Sequence, residues 1–272
     1  MTYYKSVKYY SMKKLINIII VPPINGVSRI KLNEPSTYNS LSSTTLKSLI
    51  KAFKSLNNNT STKVIILEGI GKGFSAGHNL KEISLLKKKK NYKALFNLCS
   101  KLMLEIVEGK KPVIAKVHGA AFAAGCQLVA SCDLAISSND AKFATPGVNI
   151  GLFCSTPMVA VSRKISRKRM MKMLLTGDPI DAKYAKEIGL INDYYSINNL
   201  EEEVVKLANK IASKSKVIIK IGKKAFYKQI EMSLSKAYKY TSQVMTKNMM
   251  TLDAKEGISA FLEKRKANWK NK

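Results

Sequence analysis

Along the first half of the chain, apolar residues gather in short runs divided by turn-forming residues. Ile16–Val21 and Val27–Leu32 are β-rich, and Pro22, Pro23, Asn25 and Gly26 between them predict a hairpin. From Ser42 the spacing becomes helical. Leu46, Leu49, Ile50 and Phe53 share one face, Ser42 or Ser43 stands at the N-cap, and Asn57-Asn58-Asn59 ends the helix. Val64–Leu67 is wholly apolar, as expected of a strand buried on both faces, and Val113–Val117 reads as a second one. A helix from Leu80 is expected to run on through Lys87–Lys90 into a long amphipathic helix near Ala94–Glu108, stopped at Lys111-Pro112. Gly119–Ala130 is a small-residue segment entering a helix. Leu134–Ser137 and the region of Phe143 repeat the strand theme, and after Pro157 the pattern is helical almost throughout. Strand–helix alternation followed by helices predicts an α/β fold with a helical C-terminal portion.

Two of the predicted strands run into glycine-rich segments. Gly71-Lys72-Gly73-Phe74-Ser75-Ala76-Gly77-His78-Asn79-Leu80 follows Val64–Leu67, and Gly119-Ala120-Ala121-Phe122-Ala123-Ala124-Gly125-Cys126-Gln127 follows Val113–Val117. Small residues let a ligand approach the backbone, and helix N-termini leave N–H groups unbonded. Two such loops suit a pair of N–H donors to one oxygen, an oxyanion hole. Glycine loops alone serve close helix packing equally well.

The flanking residues sharpen this picture. GKGFSAGHNLKEI and KPVIAKVHGAAFAAGCQLVASCDLAI resemble the two signatures of the crotonase, or enoyl-CoA hydratase/isomerase, superfamily. TGDPIDAKYAKEIGLIN and EGISAFLEKRKANWK are similar to its later segments. The likeness runs from about Ile16 to the C-terminus. Its local character is similar to the enoyl-CoA hydratase domain-containing protein 3 group, as seen in the stretch Phe143–Pro157 and in FYKQIEMSLSKAY. The resemblance implies a ClpP-like ββα spiral core over residues 15–196 and a helical oligomerisation region over 197–272, with a flexible or targeting extension over 1–14. It implies a homotrimer or hexamer and no permanently bound cofactor, with a coenzyme A thioester as substrate or ligand. By the same resemblance the N–H groups of His78 and Ala124 polarise the thioester carbonyl. Ser75, Ala76, Gly77 and Gly125 line the ligand, and Phe261 and Lys264 approach the CoA nucleotide.

The pattern departs from the family at the acid–base positions. Hydratases of the family carry glutamates where this chain has Gln127 and Gly147. Syn addition of water needs one group to take a proton and another to give one, and neither an amide nor glycine titrates. Ordinary enoyl-CoA hydration is therefore not expected. Acyl-CoA chemistry that leans on the oxyanion hole remains: decarboxylation, isomerisation or thioester hydrolysis. A non-catalytic acyl-CoA-binding protein is the alternative. Asp133, Asp140 and Glu82 are candidate substitute bases, with cap or surface roles as their plainer reading.

Composition adds a question about partners. Lys and Arg total 47 against 18 Asp and Glu, a formal charge of +29. That fits a polyanionic partner such as nucleic acid, an anionic membrane surface or a phosphorylated cofactor. It also fits codon bias, and the scarcity of arginine, 5 against 42 lysines, favours the latter. The run Lys87–Lys93 loosely resembles the lysine-rich helix of an RNA-binding crotonase, yet charge runs are usually solvated faces, so nucleic acid is the lesser reading. Four cysteines without CxxC spacing point to a reducing compartment, and two histidines exclude a multi-histidine metal site. No apolar run spans a membrane. The acid-free start suits a mitochondrial presequence in a eukaryote; otherwise the cytoplasm is expected.

Overall fold

The computed structural model describes residues 13–15 and 17–272. In chain order the elements are β1 (Lys13–Leu15), β2 (Ile18–Ile24), β3 (Val27–Leu32), α1 (Ser43–Asn58), β4 (Val64–Gly69), α2 (Leu80–Leu85) and α3 (Lys89–Val107). Next come β5 (Val113–Val117), β6 (Ala120–Phe122), α4 (Ala124–Ser131), β7 (Leu134–Ser138), β8 (Lys142–Ala144), a 3₁₀ turn over Pro146–Ile150, α5 (Ser155–Val161) and α6 (Arg167–Thr176). The chain closes with β9 (Ile180–Asp181), α7 (Ala182–Glu187), β10 (Asp193–Tyr195), α8 (Ile197–Ala212), α9 (Lys216–Gln229), α10 (Leu234–Met249) and α11 (Leu252–Leu262).

A sheet of seven strands, ordered β1-β2-β3-β4-β5-β7-β10, forms the spine, and a three-stranded sheet β6-β8-β9 sits beside it. Strands β3, β4, β5, β7 and β10 run parallel, so the connections after β4 and β5 leave from the same end of the sheet. One face carries the main core. Leu46, Leu49, Ile50 and Phe53 of α1 pack there with Leu95, Leu102 and Ile106 of α3. Full burial of a side chain such as Phe53 is worth about 1.5–3 kcal/mol. The other face is covered by α8, whose Leu200, Val204, Ala208 and Ala212 meet Val27, Val64, Ile66, Ile114 and Ile136. Burial on both faces explains why β4 reads as a continuous apolar run.

The hairpin forms, with a different division of labour from the one expected. Asn25 and Gly26 alone make the turn, both at positive φ (52° and 85°). Pro22 and Pro23 lie inside β2, where the pairing with β3 shifts register and β1 no longer pairs, so their missing N–H groups break no ladder bond. Ile16 lies outside the described residues, as do residues 1–12 of the expected extension; Lys13 and Lys14 pair with β2. Ser42 is the N-cap of α1 and accepts from the Thr45 N–H at 3.1 Å.

The continuous helix expected from Leu80 to Glu108 is two helices. Leu86 and Lys88 are extended, and Lys88 caps α3 without a side-chain bond. Like charges one turn apart, such as Lys87 and Lys90, oppose helix propagation, and the Tyr92 hydroxyl fastens the break by donating to the Leu86 carbonyl. Beyond Pro157 the chain is also less uniformly helical than expected. Short β9 and β10 complete the two sheets, β10 pairing in parallel with β7.

Candidate functional site

The two glycine-rich segments meet at the end of the sheet where β4 and β5 finish. Their backbones are stitched by Ser75 N–H to the Ala120 carbonyl (3.0 Å) and Phe122 N–H to the Ser75 carbonyl (2.9 Å). Approach this close tolerates no side chain at two positions. A Cβ on Gly125 would lie 2.2 Å from the Ser75 carbonyl oxygen. One on Gly77, itself at φ +92°, would lie 2.9 Å from the Phe122 carbonyl oxygen and 3.1 Å from the Ala124 nitrogen.

That packing sets His78 beside the first turn of α4. The Leu41 N–H donates to the Gly77 carbonyl at 2.7 Å and fixes the strand-like passage through residue 78. Among the described residues, no acceptor takes the N–H of His78 or of Ala124, although Ala124 is fully buried. Ala123, just before it, is held at φ 48° and ψ −116°, a region costly for any residue with a Cβ. Its own N–H donates to the Ala144 carbonyl at 2.9 Å. Two unbonded donors thus lie on adjoining segments.

Sequence reasoning did not single out Asn39, which organises the first loop. Buried and at φ 54°, it donates to the carbonyls of Ile70 and Gly73, both at 2.9 Å, and accepts from the Glu34 N–H. The available signal was an Asn closing the turn-forming stretch after Pro35. Ser75 is fully buried and donates to the Asn39 carbonyl at 2.9 Å, whereas Ala76 is exposed.

The His78 imidazole sits edge-on to Phe96, and its Nδ1–H donates to the Leu41 carbonyl at 3.3 Å. Its Nε2 is buried without a partner. Burial holds the pKa below the usual histidine value, against the opposing effects of the Leu41 bond and the Glu82 charge, so the ring is neutral at pH 7.

Of the acid–base positions singled out in the sequence, none presents a buried carboxylate without a partner. Gln127 is buried, and its amide oxygen faces the Cys99 thiol at 3.8 Å. Gly147 is also buried, and a Cβ there would meet the Leu152 carbonyl oxygen at 2.7 Å and the Cys154 sulfur at 2.9 Å. Glu82 caps α1 by accepting from the Ser43 N–H at 2.8 Å, and Asn79 caps α2. Asp133 is occupied by the Val113 N–H and by Lys223, each at 2.7 Å, while Asp140 is exposed in a turn. Burial pushes the Cys99 thiol up to about 12, and burial with nearby Cys154 does the same for Cys126, so neither is a thiolate at neutral pH. Asn149 lies exposed on the 3₁₀ turn. Among the described residues, no cluster of three or more His, Cys, Asp or Glu side chains could hold a metal ion.

Phe261 and Lys264 lie at the end of the chain, on and just beyond α11, which packs on α9 and α10. Phe261 is 82% exposed, and neither residue bonds to the glycine loops. Lys264 adopts the left-handed conformation (φ 53°) that closes the helix.

This fold and these paired loops define a crotonase: the chain belongs to the enoyl-CoA hydratase/isomerase family, whose model matches residues 24–272. Among individual relatives, it is 46% identical to the human mitochondrial enoyl-CoA hydratase domain-containing protein 3, over 90% of this chain and 81% of the human one. The crystal structure of that human protein superposes with a TM-score of 0.90 at 44% identity, covering 93% of this chain and all of the other. An enoyl-CoA hydratase from Mycobacterium smegmatis superposes with a TM-score of 0.91 at 43% identity, covering 93% and 98%. Among the described residues, no helix is long and apolar enough to cross a membrane.

Proposed function

We propose that this protein binds acyl-CoA thioesters, with the carbonyl oxygen held by the N–H groups of His78 and Ala124, and does not hydrate enoyl-CoA. The observation that carries the reading is the pair of unbonded donors on segments locked together by the Ser75–Ala120 and Phe122–Ser75 bonds. A developing enolate oxygen gains most from donors already in place, and losing one such donor typically costs about 10²–10³ in rate. Hydration would also need two titrating groups, and each one missing costs about 10²–10⁴. Gln127 and Gly147 supply neither. Reactions whose bond cleavage itself delivers electrons to the thioester, such as loss of a β-carboxylate, need only this cradle of two N–H groups and a proton donor. Ser75, Ala76, Gly77 and Gly125 form the wall against which the thioester lies, and Phe261 and Lys264 serve the nucleotide end in the assembled oligomer. Exposed Phe226, Leu234, Tyr238, Met245 and Leu262 on α9–α11 support a homotrimer or hexamer. The mitochondrial names of the relatives favour that compartment if the source is a eukaryote.

The test is product analysis by mass spectrometry with crotonyl-CoA and with malonyl-type CoA esters, alongside calorimetric binding of the same esters. Unchanged crotonyl-CoA together with binding that Ala124→Pro removes, in a variant shown to fold by circular dichroism, supports the reading. A 3-hydroxyacyl product at the rate of a true hydratase refutes it. Binding without turnover of any ester assigns the chain to the non-catalytic class.

A further inference from the structure

The parallel strands have two ends, and the glycine loops occupy one of them. At the other end the turn Lys110-Lys111 leads through Pro112 into β5. Lys223 of α9 reaches under this turn, donating to the carbonyls of Lys111 and Ile106, both at 2.9 Å, and to Asp133 at 2.7 Å. Lys216 and Lys220 precede Lys223 on α9 by seven and three residues, which puts all three on one helical face. The anchoring of Lys223 therefore brings Lys216 and Lys220 to Lys110 and Lys111. Among the described residues the Lys110 ammonium bonds only the Asn58 amide oxygen, at 3.2 Å. Lys223 is paired with Asp133, whereas Lys110, Lys111, Lys216 and Lys220 have no carboxylate partner among the described residues.

We propose that Lys111 is a site of spontaneous Nε-acylation by acyl-CoA thioesters, which the surrounding lysines recruit through the phosphates of coenzyme A. Four ammonium groups without a counter-ion favour a small polyanion. Of the four, Lys110 and Lys220 are exposed and Lys216 is half-buried, as is Lys111. Burial and the charges of Lys216, Lys110 and Lys220 hold its ammonium below the usual lysine value, which enlarges the fraction present as free amine. A donor that is both phosphate-rich and electrophilic matches both properties of the cluster. In the step, the uncharged Nζ attacks the thioester carbonyl carbon. The C–N bond forms, the C–S bond breaks, and the proton released from nitrogen ends on the departing thiolate as CoA–SH. No redox partner is involved. The product amide is neutral and removes one charge from the cluster.

Eight residues separate Lys111 from Gly119 along β5, roughly 26 Å at strand rise. A thioester gripped by His78 and Ala124 therefore cannot serve Lys111. The donor comes from solution, and the inference stands apart from the reading of the cradle.

The experiment incubates the full chain with isotope-labelled acetyl-CoA near pH 8 and follows each lysine by peptide mass spectrometry. Lys111 is expected to acylate at least about tenfold faster than an exposed lysine away from the cluster such as Lys183 of α7, the lower end of the electrostatic concentration effect. Lys216→Gln/Lys220→Gln, with folding checked by circular dichroism, is expected to erase most of that advantage. S-acetyl-N-acetylcysteamine, a thioester without phosphates, is expected to show a smaller preference for Lys111. A Lys111 rate no greater than that of Lys183 overturns the proposal. So does a preference that survives the double substitution, or one that is undiminished with the phosphate-free donor.

Discussion

The carbonyl oxygen of Ser75 lies where Gly125 leaves no space for a side chain, 2.2 Å from the position a Cβ would occupy. This contact brings the first turn of α4 against the loop carrying His78. Because the obstructing atom is backbone, Gly125→Ala must displace one segment from the other. The expected outcome is a loss of about 2–4 kcal/mol in denaturant unfolding and no measurable affinity for CoA esters. Wild-type affinity in this variant would show that the close approach is dispensable.

Restoring the two family carboxylates is not expected to restore hydration. Gln127→Glu places a carboxyl in a buried site beside the Cys99 thiol, where desolvation raises its pKa. Gly147→Glu collides with the Leu152 carbonyl oxygen and the Cys154 sulfur, at an expected cost of about 2–3 kcal/mol. The double variant should unfold at lower urea concentration and yield no 3-hydroxyacyl-CoA. Hydratase turnover in it would refute this steric reading of the loop.

Glu201 of α8 gives the fold an acid-sensitive contact. It bonds Arg29 and Lys116, which also hold the buried Glu68 at 3.2 Å and 2.7 Å. Burial raises the Glu201 pKa, but the hydrogen bonds and charges of Arg29 and Lys116 outweigh it and bring the value down to about 2. A depressed folded-state pKa contributes stability that is complete above the ordinary glutamate value and disappears as pH falls through the folded one. The urea midpoint is thus expected to drop between about pH 4.5 and pH 2, and Glu201→Gln should flatten that part of the profile. An unchanged profile in the variant would remove Glu201 from the account.

Ala123 carries backbone strain at the residue preceding a proposed donor, with φ 48° and ψ −116°. Relief of such strain is worth about 1–3 kcal/mol, less the roughly 0.5–1 kcal/mol entropic cost of glycine. Ala123→Gly is therefore expected to raise stability by about 1 kcal/mol, read from chemical denaturation. Ala123→Val should lower it. A destabilised glycine variant would count against strain at this position.

Much of the scaffold was legible because burial writes itself into the chain. Val64–Leu67 is apolar throughout because α1 and α3 cover one face of β4 and α8 the other. The glycine loops were legible because close backbone approach leaves only small residues. What escaped was decided by geometry with no local signature. Strand β10 is three residues long and exists only because β7 offers it an edge. The break between α2 and α3 rests on the bond from the Tyr92 hydroxyl to the Leu86 carbonyl as much as on the lysine run. The prolines of β2 signalled a turn, yet the register shift lets them remain in the strand. Asn39 was hidden because its work is done through the carbonyls of Ile70 and Gly73, and Lys223 because a buried lysine looks in sequence like any surface one. Phe261 and Lys264 are positioned in one chain without reaching the loops.

Strands β4 and β5 are neighbours in the sheet, and each runs into one of the two donor-bearing segments. The approach of these segments is set beyond the strand ends, where Gly77 and Gly125 leave room for the facing backbone. Both proposed donors are backbone groups, so an exchange of the acids and bases around them leaves the two N–H groups in place, much as a vice keeps its jaw width when the workpiece changes.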